Sequence, residues 1–210
     1  MKIQILIDNP KSWIIPYAIK LQNALNDRGH SAILLHKHKD IEEGDILLLL
    51  ACERVFKALN KNKHNLVVHE SDLPKGKGWS PVTWQVLEGK NKIPITLFEA
   101  EVGLDSGPIY LQDFIELEGH ELNNEIKHKQ GIKTNELILN FIDNFGKIFP
   151  KKQIGEETYY SKRKPEDSKL DINKTINDQF NLLRVVDNER YPAFFEINGQ
   201  RYILKIYKQE

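Results

Sequence analysis

The chain has 210 residues, with 30 basic and 30 acidic side chains that cancel to zero formal net charge. That length supports one sizeable α/β core with a small appendage and excludes two large domains. The balanced charge creates no global field toward nucleic acid or an anionic membrane, so the expected partner is a small molecule.

Ile3 to Ile7 predicts a first strand that stops at the turn formers Asp8-Asn9-Pro10. Met1-Lys2 leads straight into it with no secretory leader pattern, and a cytoplasmic location is expected. From Ile14 to about Asn26, apolar Ile14, Ala18, Leu21 and Leu25 share one helical face, and Arg28-Gly29-His30 supplies the stop. Ala32 to Leu35 predicts a second strand. Ile46 to Leu50 is a continuous apolar run of strand length, as expected when both faces of a parallel sheet are covered. Extended to Cys52 it still falls far short of the roughly 20 residues of a membrane span. Cys52 is the one cysteine, which excludes an internal disulfide and fits a reducing compartment.

Leu66 to Val68 predicts a short strand that delivers His69 at its C-terminal end, where open α/β sheets bind ligands. A helix over Val82 to Leu87, a strand over Pro94 to Ala100 and another over Ile109 to Glu116 follow, with Gly103 to Pro108 breaking the pattern between the strands. Asn123 to Phe149 predicts a long helical stretch interrupted at Gly131. Beyond Pro150 a polar segment runs to Lys164, then a helix near Ile176 to Val186. The strands Ala193 to Ile197 and Arg201 to Tyr207 flank Asn198-Gly199, a strong hairpin signal. The domain reading is therefore 1–150 for a main α/β domain with a mainly parallel sheet, and 151–210 for a linker, helix and hairpin forming a small α+β module.

Three ordered segments carry chemistry: His69-Glu70-Ser71-Asp72-Leu73-Pro74, Lys77-Gly78-Trp79-Ser80-Pro81, and Gly103-Leu104-Asp105-Ser106-Gly107-Pro108-Ile109. Their types, order and separation resemble the formyltransferases that act on methionyl-tRNA, glycinamide ribonucleotide and amino sugars. More loosely, Thr158 to Arg163 and Tyr191-Pro192-Ala193-Phe194-Phe195 resemble the linker and C-terminal region of the transfer-RNA and sugar enzymes. The resemblance implies a Rossmann-like catalytic domain, 10-formyl-tetrahydrofolate as formyl donor, no metal, and His69 with Asp105 as catalytic residues. A histidine near its unperturbed pKa of about 6.5 suits proton transfer, and a glycine-flanked aspartate suits orienting it. His36 and His38 lack the further ligands that a metal pair would need. Trp79 and Trp84 are expected to pack rather than stack on a ligand.

By the same resemblance, Cys52, Glu53, Arg54 and Val55, together with Glu101, Val102, Gly103 and Leu104, offer main-chain groups to the pterin. Asn9, Ser71, Lys77, Arg163, Arg190 and Tyr191 are the residues expected to meet the acceptor. The compact length and neutral C-terminus favour a nucleotide-linked amino sugar over transfer RNA, with a UDP-4-amino-4,6-dideoxy-N-acetyl sugar of the pseudaminic acid pathway as the particular substrate. Glycinamide ribonucleotide, or binding of folate or sugar nucleotide with little turnover, are the alternatives. An apolar hairpin is compatible with a homodimer. One departure stands out: the family places an asparagine two residues before the histidine, where this chain has Val67. Ser71, a lysine of the Lys75-Gly76-Lys77 loop or a backbone N–H are the candidate replacements.

Overall fold

The computed structural model describes residues 1–209. In chain order the elements are β1 (Lys2–Leu6), α1 (Ile15–Asp27), β2 (Ser31–Leu35), β3 (Gly44–Leu49), β4 (Asn62–His69), β5 (Lys77–Gly78), α2 (Pro81–Leu87), β6 (Lys92–Glu99), β7 (Ile109–Glu116), α3 (Asn123–Asp143), β8 (Tyr159–Tyr160), α4 (Phe180–Val185), β9 (Ala193–Ile197) and β10 (Gln200–Leu204). Six of the strands form one sheet in the order β2-β1-β3-β4-β6-β7. β2, β1, β3 and β4 run parallel, β6 runs antiparallel to β4, and β7 antiparallel to β6. The mainly parallel α/β architecture and the terminal hairpin are as the sequence predicts.

Apolar side chains cover both faces of β3, which explains its unbroken run of leucines. On one face Ile46 and Leu48 join Ala18, Leu21 and Leu25 of α1 and Leu137, Ile138 and Phe141 of α3. On the other, Leu47 and Leu49 pack with Leu6, Ile41 and Phe56. β4 inherits the same two-sidedness. Leu66 and Val68 face the helices, whereas Val67 faces the second cluster, and His69 follows Val67 by the period of two.

α3 runs unbroken through Gly131, contrary to the expected interruption. The glycine is there because α1 packs against it. A Cβ at Gly131 would lie 2.5 Å from Cγ of Tyr17, and close contact with that ring outweighs the roughly 1 kcal/mol by which glycine weakens a helix.

The C-terminal segment folds around Leu170, Leu183, Val186 and Ala193. Its helix is shorter than expected, since residues 177–179 form a 3-10 turn and only Phe180–Val185 is α-helical. The amide of Gln179 accounts for this by accepting the Asp171 N–H and donating to its carbonyl, which ties the preceding loop down. Asn198 and Gly199 both adopt positive φ at the tip of the hairpin, the pairing a two-residue type I′ turn requires. β10 ends at Leu204 rather than Tyr207, because the side chain of Asn188 takes both the N–H and the carbonyl of Ile206.

A buried ion pair fastens this segment to the loop between β7 and α3. Arg184 Nη2 lies 3.3 Å from Glu121 Oε2, with side-chain exposures of 1% and 2%. Burial raises the Glu121 pKa, but Lys129 and the backbone N–H groups of Glu118 and Gly119 outweigh it and lower the value to about 2. A depressed carboxylate contributes stability above its unfolded pKa and loses it as pH falls through the folded one. Unfolding followed from pH 6 to pH 2 is therefore expected to show a loss on the order of a few kcal/mol, concentrated below the ordinary glutamate range. Glu121→Gln should flatten that acid limb.

Candidate active site

His69 ends β4 and is 7% exposed. Its Nε2 lies 2.8 Å from the carbonyl oxygen of Gly76. A carbonyl only accepts, so Nε2 carries the proton and Nδ1 is left as the acceptor of the ring. The loop supplying that carbonyl is fixed from behind by β8, which pairs with β5 in register Lys77↔Tyr159 and Gly78↔Tyr160. Gly78 is required at this crossing. It sits at φ +103°, and a Cβ there would lie 2.5 Å from the Tyr160 carbonyl oxygen.

The Gly78 N–H donates to Asp105 Oδ2 at 2.9 Å, and the same oxygen is 3.8 Å from His69 Nε2. Asp105 itself adopts φ +47°, a region that non-glycine residues occupy at some cost and mostly where surrounding contacts impose it. Those contacts are present. Gln153 Nε2 donates to the carbonyls of Asp105 and Gly107, each at 2.8 Å. Gly107 lies against the Glu99 carbonyl so closely that no Cβ fits. The polar segment after residue 150 is thus the clamp of the aspartate loop, a role with no signal in the sequence. Gln153→Ala is expected to lower turnover about tenfold, because a hydrogen-bonded clamp of roughly 1.4 kcal/mol holds the carboxylate in place. Steady-state rates compared with thermal melts check this.

The two loops expected to bind the pterin pack on one small cluster, with Cys52 and Ala100 both joining Phe56 and Val67. Val55, Val102 and Leu104 leave apolar surface open there, Val102 at 98% exposure. One expected contribution is already spent, since the N–H groups of Glu53 and Arg54 both donate to Asp8, at 2.8 and 3.0 Å. Burial raises Asp8, but these N–H groups and His38 outweigh it and hold its carboxyl below the usual range. The carbonyls and exposed side chains remain for a ligand, and Asp8 acts as the pin of this loop. Cys52 is a neutral thiol, pushed up to about 12 by burial and the neighbouring Asp8, and it donates to the Leu6 carbonyl.

The residues expected at the acceptor are placed unevenly. Asn9 Nδ2 bonds Glu53 Oε1 at 2.8 Å, so the loop after β1 is tied to the loop after β3. Ser71 Oγ is buried without a partner. Lys77 is 1% exposed and its Nζ pairs with Glu157 at 2.6 Å. Arg163 bonds Ser168 Oγ and, more distantly, the carbonyls of Val185 and Asp167. Arg190 and Tyr191 form the turn closed by Asp187. Their hydrogen bonds run within the C-terminal segment rather than to His69 or Asp105. Trp84 packs as expected, its indole N–H on the Ser161 carbonyl, whereas Trp79 stands half exposed.

Val67 is half-buried on the face that His69 shares, so no side-chain amide reaches the site from that position. Among the described residues, no group of three His, Cys, Asp or Glu side chains is placed to hold a metal. His36 bonds the Ile7 carbonyl and His38 bonds Asp8. No helix of the described residues is long and apolar enough to cross a membrane.

The family described as Formyl transferase matches residues 15–141. A methionyl-tRNA formyltransferase from Thermodesulfovibrio yellowstonii is 35% identical over 125 residues, covering 58% of this chain and 41% of that protein. The chain thus spans less than half of that relative's length. In three dimensions it is similar to a methionyl-tRNA formyltransferase from Clostridium thermocellum, with a TM-score of 0.83, 20% identity, and coverage of 100% of this chain and 94% of the other. It is also similar to a sugar N-formyltransferase from Shewanella sp FDAARGOS_354, with a TM-score of 0.70, 16% identity, and coverage of 100% and 98%.

Proposed function

The chain belongs to the formyl transferase family, and from that membership we propose that it moves a formyl group from 10-formyl-tetrahydrofolate to the amino group of a nucleotide-linked amino sugar. The observation that carries the reaction is the placement of Asp105 Oδ2 between the Gly78 N–H and the protonated Nε2 of His69. When bound, the folate would supply an activated formyl carbon, and the loops that carry Val55, Val102 and Leu104 would hold its ring.

His69 does the proton work. As the acceptor nitrogen bonds to the formyl carbon, Nδ1 takes a proton from it, and the imidazolium so formed is stabilised by the carboxylate of Asp105 on its other nitrogen. The bond from the formyl carbon to the donor nitrogen then breaks with its electron pair going to that nitrogen, and His69 returns the proton there. Asp105 keeps its charge throughout and fixes the ring. Because the ring carries the proton on Nε2 at rest, the direction of transfer is set before substrate arrives.

An amino sugar is favoured over transfer RNA because 30 basic and 30 acidic residues leave no net positive charge, and affinity for a polynucleotide rests on neutralising phosphates. The particular sugar proposed is a UDP-linked 4-amino-4,6-dideoxy-N-acetyl sugar, in a dimeric cytoplasmic enzyme. Val67 favours a second reading, in which ligands bind with little turnover. Incubating the protein with 10-formyl-tetrahydrofolate and a panel of UDP- and dTDP-amino sugars, glycinamide ribonucleotide and methionyl-tRNA separates these readings. A formylated sugar nucleotide is the expected product. Formylated methionyl-tRNA in preference would overturn the acceptor class, and ligand binding without any product would favour the second reading.

A further inference from the structure

Glu70 follows His69 at the end of β4 and faces the opposite side of the sheet, beyond Leu66 and Val68 on the α1 and α3 face. His69 and Val67 face the loops where the donor ring would lie. The two adjacent side chains therefore flank one strand end, with the donor on the histidine's side and the glutamate on the other.

The surroundings of Glu70 are those of a carboxylate held ready for a cation it does not have. Its Oε1 accepts from Gln130 Nε2 on α3 at 2.7 Å, and its backbone carbonyl accepts from Gln85 Nε2 on α2 at 2.6 Å. Among the described residues the carboxylate accepts from no side chain other than Gln130, its further contact being the Glu70 backbone N–H, and no lysine or arginine pairs with it. Both helices present neutral amides. The ionisable groups that act on it are His69 and Asp105, which oppose each other. Burial pushes its pKa up, so it is a better proton acceptor than an exposed glutamate. A half-buried carboxylate without a cation is costly. Gln130 is held rigidly, because Gly131 sits under the ring of Tyr17 and His128 Nδ1 bonds the Tyr17 hydroxyl at 2.9 Å.

We infer that Glu70 receives the acceptor's ammonium group, takes one proton from it, and presents the free amine to the formyl carbon beside His69. This rests on the formyl-transfer reading above. In the step one N–H bond breaks and one O–H bond forms. The electron pair stays on nitrogen as the nucleophilic lone pair, and Glu70 becomes a neutral acid that later releases its proton to solvent. The proton that leaves during attack is a different one and goes to His69. One carboxylate and one imidazole on opposite sides of one strand end thus divide the two deprotonations an ammonium needs before it becomes an amide.

The test is Glu70→Gln, which preserves the side-chain shape beside Gln130. With a UDP-4-amino-4,6-dideoxy sugar, kcat/KM at pH 7 is expected to fall about 10²-fold with an unchanged KM for 10-formyl-tetrahydrofolate. The deficit should shrink about tenfold per pH unit toward pH 9, as solution itself deprotonates the amine. Gln130→Ala, which only frees the carboxylate, should give an intermediate loss. In binding experiments the wild type should prefer the 4-amino sugar nucleotide over its 4-hydroxy counterpart, and Glu70→Gln should lose that preference. A loss constant across pH, or full activity of Glu70→Gln in an active wild-type background, would overturn the role of Glu70 and leave the transfer reading standing. A wild type that formylates no amine overturns both.

Discussion

His69→Asn is expected to lower formyl transfer about 10³-fold while the protein folds and still binds the folate. The magnitude follows from removing a positioned proton carrier, a contribution of roughly 10² to 10⁴. Asparagine's amide stops one atom short of the Nε2 that now serves the Gly76 carbonyl, so the loop loses one hydrogen bond at a stability cost of about 1 kcal/mol. Asp105→Asn should cost about 10²-fold, since the amide can still accept from the Gly78 N–H but cannot stabilise an imidazolium. The two losses should be far from additive, because both act on the same proton. Single-turnover rates for the two variants and the double variant, with folate binding measured in parallel, decide the matter. Near-normal transfer in His69→Asn would remove the histidine from the chemistry.

Much of the fold was legible because its signals are local. The apolar runs of β1 and β3, the three-four spacing of α1 and the Asn198-Gly199 turn each report a backbone state from neighbouring residues. What misled were positions decided by a distant partner. Gly131 reads as a breaker, yet it is the place where Tyr17 of α1 packs into α3. The expected end of β10 at Tyr207 was displaced by Asn188, whose side chain holds Ile206 18 residues further on. The site divides in the same way. His69 and Asp105 are visible through ordered motifs, whereas Gln153, Asp8 and Glu70 act through bonds to residues 48, 45 and 60 positions away. A glutamine in a polar linker carries no mark of the carbonyls it clamps. Charged residues misled in the opposite sense. Lys77 and Arg163 look like ligand-facing cations in sequence, and the structure turns both inward onto the protein's own groups.

Val67→Asn is the substitution expected to raise activity. Val67 lies two residues before His69 on the same face of β4, roughly 7 Å along the strand, and its neighbours across the sheet are Leu49 and Phe98. The other candidate donors are poorly placed to take the formyl oxygen's developing charge. Ser71 Oγ is buried, and Lys77 is committed to Glu157. That leaves the exposed Lys75, a backbone N–H, or the histidine itself once protonated. An amide supplied at 67 adds a preorganised donor, and such donors are worth about 10² to 10³ in kcat. Part of that is offset by the packing change at a half-buried position, so the net gain is expected nearer 10- to 100-fold, by the same reasoning. The cost is local: a half-buried amide among Leu47, Leu49 and Phe56 lowers stability by about 1 to 3 kcal/mol. Val67→Leu, which changes volume without adding a donor, should lose stability and gain no rate. If Val67→Asn folds, binds folate and turns over no faster than the wild type, the oxyanion is already held by another group. Lys75→Ala and the rise of kcat below neutral pH would then distinguish the lysine from the protonated histidine. The stability and rate effects pull in opposite directions at one residue, so a melt and a kcat on the same three proteins separate packing from catalysis.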